Sequence, residues 1–376
     1  MKILVDANIF TRKQKTGVDY YAQGLVFAAA RALPDYEFIL VHFGGGKIDV
    51  PADLRNVTIK RIWWLSSKMY GLHRHYLSFV PFDLLAPVKA DIMFFPDFGC
   101  PPTIQNVPKL TIIHDLTYLL QPEYVLPGHR SFLDKLVKQA LKQCTEVVVN
   151  SESTKTDLVN AYRPSKPINI IPPAVDAEFY KPAANKEVAA VKEKYGIEGD
   201  YILFLSTLEP RKNVTKIIKA YGLLSPELRS KYKLVLAGKK GWLDEEIEEL
   251  CDKMGDQVIR TGRVETDDKP ALYTGASLFA FPSVYEGFGM PILEAMACGT
   301  PVVTSSTSSM PEVAGDAAIV VEPHNVHDIV DAFTSVLTDA NLARQLRNDG
   351  LTRATEFTWK KSGQQLANLL QRLTKN

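Results

Sequence analysis

The residues best suited to chemistry lie in the segment Glu286-Gly287-Phe288-Gly289-Met290-Pro291-Ile292-Leu293-Glu294. Gly287 and Gly289 let the backbone turn tightly and come close to a ligand. Pro291 suits the first helical position, where a missing N–H costs nothing. The free N–H groups of a helix start favour an anion, here a diphosphate. A carboxylate beside a phosphate is repelled unless it accepts hydrogen bonds from hydroxyls, and sugars supply hydroxyls. A ribose or a hexose is therefore the natural partner of Glu286 and Glu294. Taken alone, two glutamates flanking a capped helix read as surface residues. The glycines, the proline and the strand before them turn the reading toward a ligand.

A second segment, Glu209-Pro210-Arg211-Lys212-Asn213, presents two adjacent cations after an apolar strand. Arginine offers a planar fork to phosphate oxygens and lysine a point charge. A leaving nucleoside diphosphate gains negative charge as its glycosidic bond breaks, so cations here stabilise the transition state more than the ground state. The alternative is a solvated basic turn. His114-Asp115 follows the strand Leu110 to Ile113 and is exposed at a strand end, with local packing of His114 as the plainer reading. Lys15-Thr16-Gly17-Val18-Asp19 puts a glycine before a helix, where backbone N–H groups can meet phosphate. Between Lys60 and Lys89, Trp63, Trp64, Met69, Tyr70, Tyr76 and Phe79 mix with Lys60, Arg61, Lys68, His73, Arg74 and His75. That mixture suits an anionic membrane surface, and equally a core helix with one solvated face.

These loops need a scaffold that aims them together. Apolar runs at Lys2 to Asp6, Glu37 to Phe43, Val57 to Trp64, Asp91 to Phe95, Lys109 to Ile113 and Glu146 to Asn150 read as strands. Helical patterns lie at Tyr20 to Leu33 and Gly128 to Gln143. Alternation of this kind predicts a parallel sheet with helices on both faces. After Ile168 to Ile171, Pro172-Pro173 breaks regular structure, and Ala174 to Gly199 reads as a connection with a charged helix at Lys186 to Tyr195. A second alternation follows. Its strands are Tyr201 to Leu205, Lys233 to Ala237, Val258 to Thr261, Leu278 to Phe281 and Val302 to Thr304. Its helices are Val214 to Leu224, Leu243 to Met254, Lys269 to Gly275 and Pro291 to Cys298. The expectation is two doubly wound domains, with ligands at the carboxyl ends of the strands.

The 376 residues exceed one ordinary core, and the net charge of +1 requires no nucleic acid or acidic polymer. The first 176 residues carry 20 basic and 16 acidic side chains, the remainder 24 and 27, a weak pointer to an anionic surface near the first half. Cys100, Cys144, Cys251 and Cys298 lie far apart, without metal-ligand spacing, and read as buried thiols in a reducing compartment. The first residues do not read as a secretory signal, and no apolar run approaches the ~18 residues of a membrane span. A cytoplasmic protein is expected, with any membrane contact peripheral, at the inner face. There is no G-x-x-x-x-G-K-[ST] loop, no G-x-G-x-x-G after the first strand and no nucleophilic serine elbow.

Across essentially its whole length the chain resembles the large retaining glycosyltransferase family with the GT-B fold that contains many mannosyltransferases. The resemblance is strongest from Tyr201 to Pro323. It rests on Glu286 to Glu294 with the following Ala295-Met296-Ala297-Cys298-Gly299-Thr300-Pro301-Val302-Val303, on Arg211-Lys212, Gly238, Trp242, Gly262-Arg263-Val264 and Pro311-Glu312-Val313, and on Gly17, His114-Asp115, Asn150-Ser151 and Pro173 to Asp176 in the first half. The resemblance implies two Rossmann-like domains facing across a cleft: residues 1–175 on the acceptor side, a linker at 176–199, a nucleotide-sugar domain at 200–356, and a helix in 357–376 packing back on the first.

The resemblance also implies roles. Glu286 would contact the donor sugar, Gly287, Phe288, Gly289 and Met290 would hold it by their backbone, Pro291, Ile292 and Leu293 would hold phosphates, and Glu294 the ribose. Arg211 and Lys212 would bind the diphosphate, His114 would lie beside the transferred sugar, Arg263 and Val264 would flank the base, and Gly238 and Gly17 would approach the nucleotide. Asp19 stands where the family usually has a second glycine; a carboxylate there would repel a diphosphate and is expected to face the acceptor. The implied reaction retains anomeric configuration without a metal, the cations doing a metal's work. GDP-mannose is the donor implied, a glycan or lipid-linked glycan the acceptor. A UDP-glucose-type donor is the alternative, and a sugar-nucleotide-binding partner protein without turnover is the alternative of another class.

Overall fold

The computed structural model describes residues 1–76, 79–241 and 245–374. Two compact units emerge: Met1–Ala174 with Trp359–Asn376, and Val175–Thr358. Each is built on an all-parallel sheet. The first sheet contains β1 (Lys2–Asp6), β2 (Glu37–Phe43), β3 (Val57–Ile62), β4 (Ile92–Phe95), β5 (Lys109–Ile113), β6 (Glu146–Val149) and β7 (Ile168–Ile170), in the order β3-β2-β1-β4-β5-β6-β7. The second contains β8 (Asp200–Leu205), β9 (Tyr232–Ala237), β10 (Val258–Gly262), β11 (Leu278–Phe281), β12 (Val302–Ser305) and β13 (Ile319–Val321), in the order β10-β9-β8-β11-β12-β13. Central strands such as Ile92-Met93-Phe94-Phe95 and Leu278-Phe279-Ala280-Phe281 are apolar throughout because helices cover both faces. Strand order reverses between β1 and β4 in the first sheet and between β8 and β11 in the second.

Several boundaries differ from the sequence reading, for local reasons. The first long helix begins at Gly17, not Tyr20, because the Asp19 carboxylate accepts from the Thr16 N–H at 2.7 Å and closes the first turn. β3 stops at Ile62, leaving Trp63 and Trp64 beyond it. The helix in the glutamate segment starts at Met290 with Pro291 second, after Gly289 at φ 100°. The helix Glu152–Tyr162 escaped the sequence reading; its N-cap is the Ser151 hydroxyl, which accepts from the Thr154 N–H. Residues 176–199, read as a linker, carry the helix Asn185–Lys194, whose Val191 is buried in the core of the second unit.

The helix Trp359–Leu373 lies against the helix Gly17–Ala32 in the first unit. Close approach is built in: a Cβ on Gly363 would stand 2.5 Å from the backbone of Ala28, and one on Gly24 would stand 2.5 Å from the Trp359 ring. Ser362 donates to the Pro172 carbonyl at 2.7 Å, and Arg372 pairs with Glu146 at 2.7 Å.

Candidate functional site

In the second unit the order reversal places two loops side by side at the carboxyl ends of β8 and β11, where doubly wound sheets bind ligands. The loop after β8 carries Glu209, Arg211 and Lys212 on one short 3-10 turn, Pro210–Lys212. Asn213 ends that turn in the left-handed region, φ 63°. Its amide donates to the Pro282 carbonyl at 2.9 Å and to that of Pro323 at 2.7 Å, so one side chain ties the cationic loop to the loop after β11. The Val284 N–H donates to the Arg211 carbonyl at 2.9 Å and completes the tie.

Held this way, the cations converge on Glu286. Arg211 donates through Nη1 to the Tyr285 carbonyl at 2.7 Å and to Glu286 Oε2 at 3.0 Å, and through Nη2 to Glu209 Oε1 at 2.8 Å. Lys212 Nζ donates to Glu286 Oε1 at 2.5 Å. Glu209, Lys212 and Glu286 are all buried. Burial works against the Glu286 charge, yet the Arg211 and Lys212 charges hold its pKa below the ordinary carboxylate value. Burial and the neighbouring Arg211 charge push Lys212 below the ordinary amine value. Residues expected from sequence to serve sugar and diphosphate separately thus form one charge-balanced cluster, in which the carboxylates orient the cations.

The backbone of the glutamate segment is fixed by a hydroxyl-rich neighbour that the sequence reading did not single out. Ser309 donates to the carbonyls of Glu286 at 2.9 Å and Phe288 at 2.8 Å, Ser308 donates to the Glu286 carbonyl, and Thr307 donates to that of Val284 at 2.7 Å. Side-chain hydroxyls therefore take up the loop carbonyls. Ile292 and Leu293 are buried within the helix Met290–Ala297, with Met290 and Pro291 at its entry. Glu294, also buried, is gripped from one side: Tyr273 donates its hydroxyl to Oε2 at 2.9 Å, and Lys269 Nζ lies 3.8 Å from the same oxygen. Burial and the Glu294 charge push the Tyr273 phenol well above its ordinary value, so it stays a donor. Glu294 Oε1 receives no hydrogen bond from the described residues. Lys269 and Tyr273 went unnoticed in the sequence, although their spacing of four on a helix was a readable signal.

The remaining expected residues of this unit are placed as follows. Gly238 follows β9, and a Cβ on it would lie 1.7 Å from the Ser206 carbonyl oxygen, so a glycine is required there by the loop after β8 itself. Gly287 is buried beside Glu286, with Phe288 in the core. Val264 is buried and Arg263 exposed, at the end of β10. Trp242 lies outside the described residues.

In the first unit His114 follows β5 and is buried. Its Nε2 donates to the Pro96 carbonyl at 2.9 Å, which fixes the proton on that nitrogen and leaves Nδ1 as an acceptor. Burial lowers its pKa, against the opposing pull of the Pro96 carbonyl and of Asp97, Asp115 and Asp19. The Tyr21 and Phe98 rings flank it, with centroids 5.7 and 5.1 Å away. Gly17 is exposed at the first helical position. Asp19 does not face a ligand as expected: it is fully buried, caps the helix through Thr16 and pairs with Arg12 Nη1 at 2.8 Å. Its charge is thereby spent inside the first unit.

The aromatic and basic stretch divides. Tyr70 is buried, His73 is buried with its Nε2 donating to the Val80 carbonyl at 3.3 Å, and Arg74 pairs with Asp97. Trp63 and Phe79 are 80% and 72% exposed, and Trp64, Met69, Leu72, Lys60, Arg61 and Lys68 are also exposed. Among the described residues no helix is long and apolar enough to cross a membrane. All four cysteines are free and buried.

Residues 16–179 match the family described as Glycosyltransferase Family 4, and residues 187–353 the family described as Glycosyl transferases group 1. The chain is 30% identical over 365 residues to the O-antigen chain mannosyltransferase B of Escherichia coli, covering 94% of this chain and 95% of that one. It is 30% identical over 263 residues to the GDP-mannose-dependent alpha-(1-6)-phosphatidylinositol monomannoside mannosyltransferase of Mycolicibacterium smegmatis, covering 65% and 66%. Sucrose-phosphate synthase from Thermosynechococcus elongatus has the same fold, with a TM-score of 0.77 at 18% identity, over 99% of this chain and 98% of that one. The two-unit architecture is the GT-B fold, and the chain belongs to the glycosyltransferase group 1 family.

Proposed function

We propose that this enzyme is a hexosyltransferase that moves mannose from GDP-mannose to a hydroxyl of a glycan or lipid-linked glycan, with retention of anomeric configuration. The observation that carries the reading is the cluster of Arg211, Lys212 and Glu286, beside a helix start whose glutamate keeps one oxygen open. Arg211 and Lys212 would exchange carboxylate partners for diphosphate oxygens, Glu286 would accept from donor-sugar hydroxyls, and Glu294 from ribose hydroxyls. His114 Nδ1 would accept from a sugar hydroxyl. In the reaction the anomeric carbon–phosphate oxygen bond breaks, the acceptor oxygen bonds the anomeric carbon on the same face, and the acceptor proton passes to the departing phosphate oxygen. The cations and the helix N-terminus would carry the developing charge, with no metal required. The mannose and GDP assignments draw on the names of the two mannosyltransferases to which the chain is similar.

A thermal-shift panel of GDP, UDP and ADP sugars tests the donor, because a ligand that binds only the folded state raises the melting point. GDP-mannose is expected to give the largest shift. A shift with UDP-sugars and none with GDP compounds would replace mannose with a UDP-sugar donor. Peripheral membrane contact through Trp63 and Lys68, at a cytoplasmic face, is part of the reading. Co-sedimentation with anionic liposomes should fall in the double variant Trp63→Ala, Lys68→Ala; no binding by the unaltered protein would remove it.

A further inference from the structure

The first unit has an order reversal of its own, between β1 and β4, and a doubly wound sheet takes ligands at the carboxyl ends of the strands flanking such a reversal. Asp6 ends β1, Arg12 and Asp19 follow it, and Asp97 follows β4. Arg12 bridges the two loops: Nη1 lies 2.8 Å from Asp19 and Nη2 lies 3.4 Å from Asp97 Oδ2. From below, Arg74 donates to Asp97 Oδ2 at 2.8 Å and to the Asp97 carbonyl at 2.6 Å, and Tyr70 donates to Asp6 at 2.6 Å. Carboxylate with two cations is the arrangement of Glu286, Arg211 and Lys212 in the second unit, at the matching place in its sheet.

Burying such a network costs desolvation, and apolar side chains would serve packing better. Exposure grades across it: Asp19 is fully buried, Asp97 and Arg74 retain 16% and 18% of their side-chain surface, and Arg12 retains 47%. At the open edge Asp97 Oδ1 and Arg12 Nε have no hydrogen-bond partner among the described residues. Burial opposes the Asp97 charge, but Arg74 and Arg12 hold its pKa below the ordinary carboxylate value, so Oδ1 belongs to an ionised group. Phe98, next in the chain, sits in the left-handed region at φ 52°, uncommon for an aromatic residue, and its ring packs on His114.

An ionised acceptor beside a guanidinium with a spare donor complements adjacent hydroxyls. Three carboxyl groups (Asp6, Asp19, Asp97) stand against Arg12, Arg74 and Lys15, whose ammonium donates to the neutral Gln23 amide at 2.5 Å, so there is no excess positive charge to hold a phosphate. We infer that Arg12 and Asp97 form a hydroxyl-binding subsite in the first unit that takes a neutral hexose, the terminal sugar of the acceptor glycan. This rests on the reading of the acceptor as a glycan.

Saturation-transfer NMR on the full chain tests it, using methyl α-D-mannopyranoside and, as the charged counterpart, mannose 6-phosphate. The neutral glycoside should show saturation that drops at least about fivefold in Arg12→Ala and in Asp97→Asn, with weaker signals from mannose 6-phosphate. The GDP-induced melting shift, read in parallel, should persist in both variants. Equal saturation in the unaltered protein and Arg12→Ala, no saturation at all, or a stronger signal from mannose 6-phosphate overturns the subsite. Asp97→Asn leaves Arg74 short of a charge partner, so if that variant unfolds, Arg12→Ala decides. A missing GDP shift in the unaltered protein would sink the donor reading alone, because the glycoside signal does not depend on it.

Discussion

At the scale of residues, the donor reading concentrates on a few charged side chains whose protein partners are one another. Replacing Arg211 by Ala leaves Glu209 and Glu286 buried without their shared cation and, on the proposed mechanism, removes a cation that would meet the developing charge. Transfer should fall by about 10²–10³ in kcat, the cost of losing one preorganised electrostatic group, while circular dichroism stays native. Unchanged kcat would take Arg211 out of the chemistry. Tyr273 makes a second case. Its hydroxyl aims Glu294, so Tyr273→Phe should narrow the preference for GDP over 2′,3′-dideoxy-GDP several-fold, read from binding constants. Glu294→Ala should abolish that preference. If Glu294→Ala abolishes it and Tyr273→Phe leaves it intact, Tyr273 has no aiming role. His114 bears on pH. Its folded pKa lies below 6.5, so the stability from burying it neutral is whole above pH 6.5 and is lost as pH falls through the folded value. The log of kcat/KM should therefore be level down to about pH 6.5 and show an acid limb below it that His114→Gln weakens. An acid limb centred above pH 6.5 would contradict the assignment.

The element scale shows what the sequence could and could not reveal. Glu286 to Glu294, Arg211-Lys212 and His114 were legible because each follows an apolar strand, and parallel strands aim their carboxyl-end loops at ligands. Ser308-Ser309 was not, because it supports the site from another element and carries no local signature of doing so; the spacing of four puts Lys269 and Tyr273 on one helix face but does not point to Glu294. Asp19 was misread for a related reason: a carboxylate three residues after Thr16 is also half of a helix cap, and the cap and Arg12 claim it. The linker reading of residues 176–199 followed the prolines, whereas Val191 answers to the second core. Close packing gives a prediction at this scale. Gly238→Ala drives a methyl into the Ser206 carbonyl and should displace the cationic loop, costing about 1–3 kcal/mol in denaturant unfolding of the second unit. A variant as stable as the parent would show that the loop yields freely.

At the scale of the whole molecule, the first unit is discontinuous in sequence: it is completed by Trp359–Asn376 after the chain has built the second unit. A chain ending at Thr358 lacks the helix that covers Gly17–Ala32 and the Arg372 partner of Glu146. Hydrogen exchange in that shortened chain should rise across β1 and the helix Gly17–Ala32, while β8, β9 and β11 stay protected. For the whole enzyme, we propose a nucleotide-sugar transferase that keeps the anomeric configuration of its donor. It is tested most directly by supplying GDP-α-D-mannose with an oligomannoside acceptor and reading the new anomeric centre by NMR. The expected product is an α-configured mannose on the acceptor, with release of GDP. A β-configured product, or no transfer from GDP-mannose while a UDP-sugar is consumed, would contradict it.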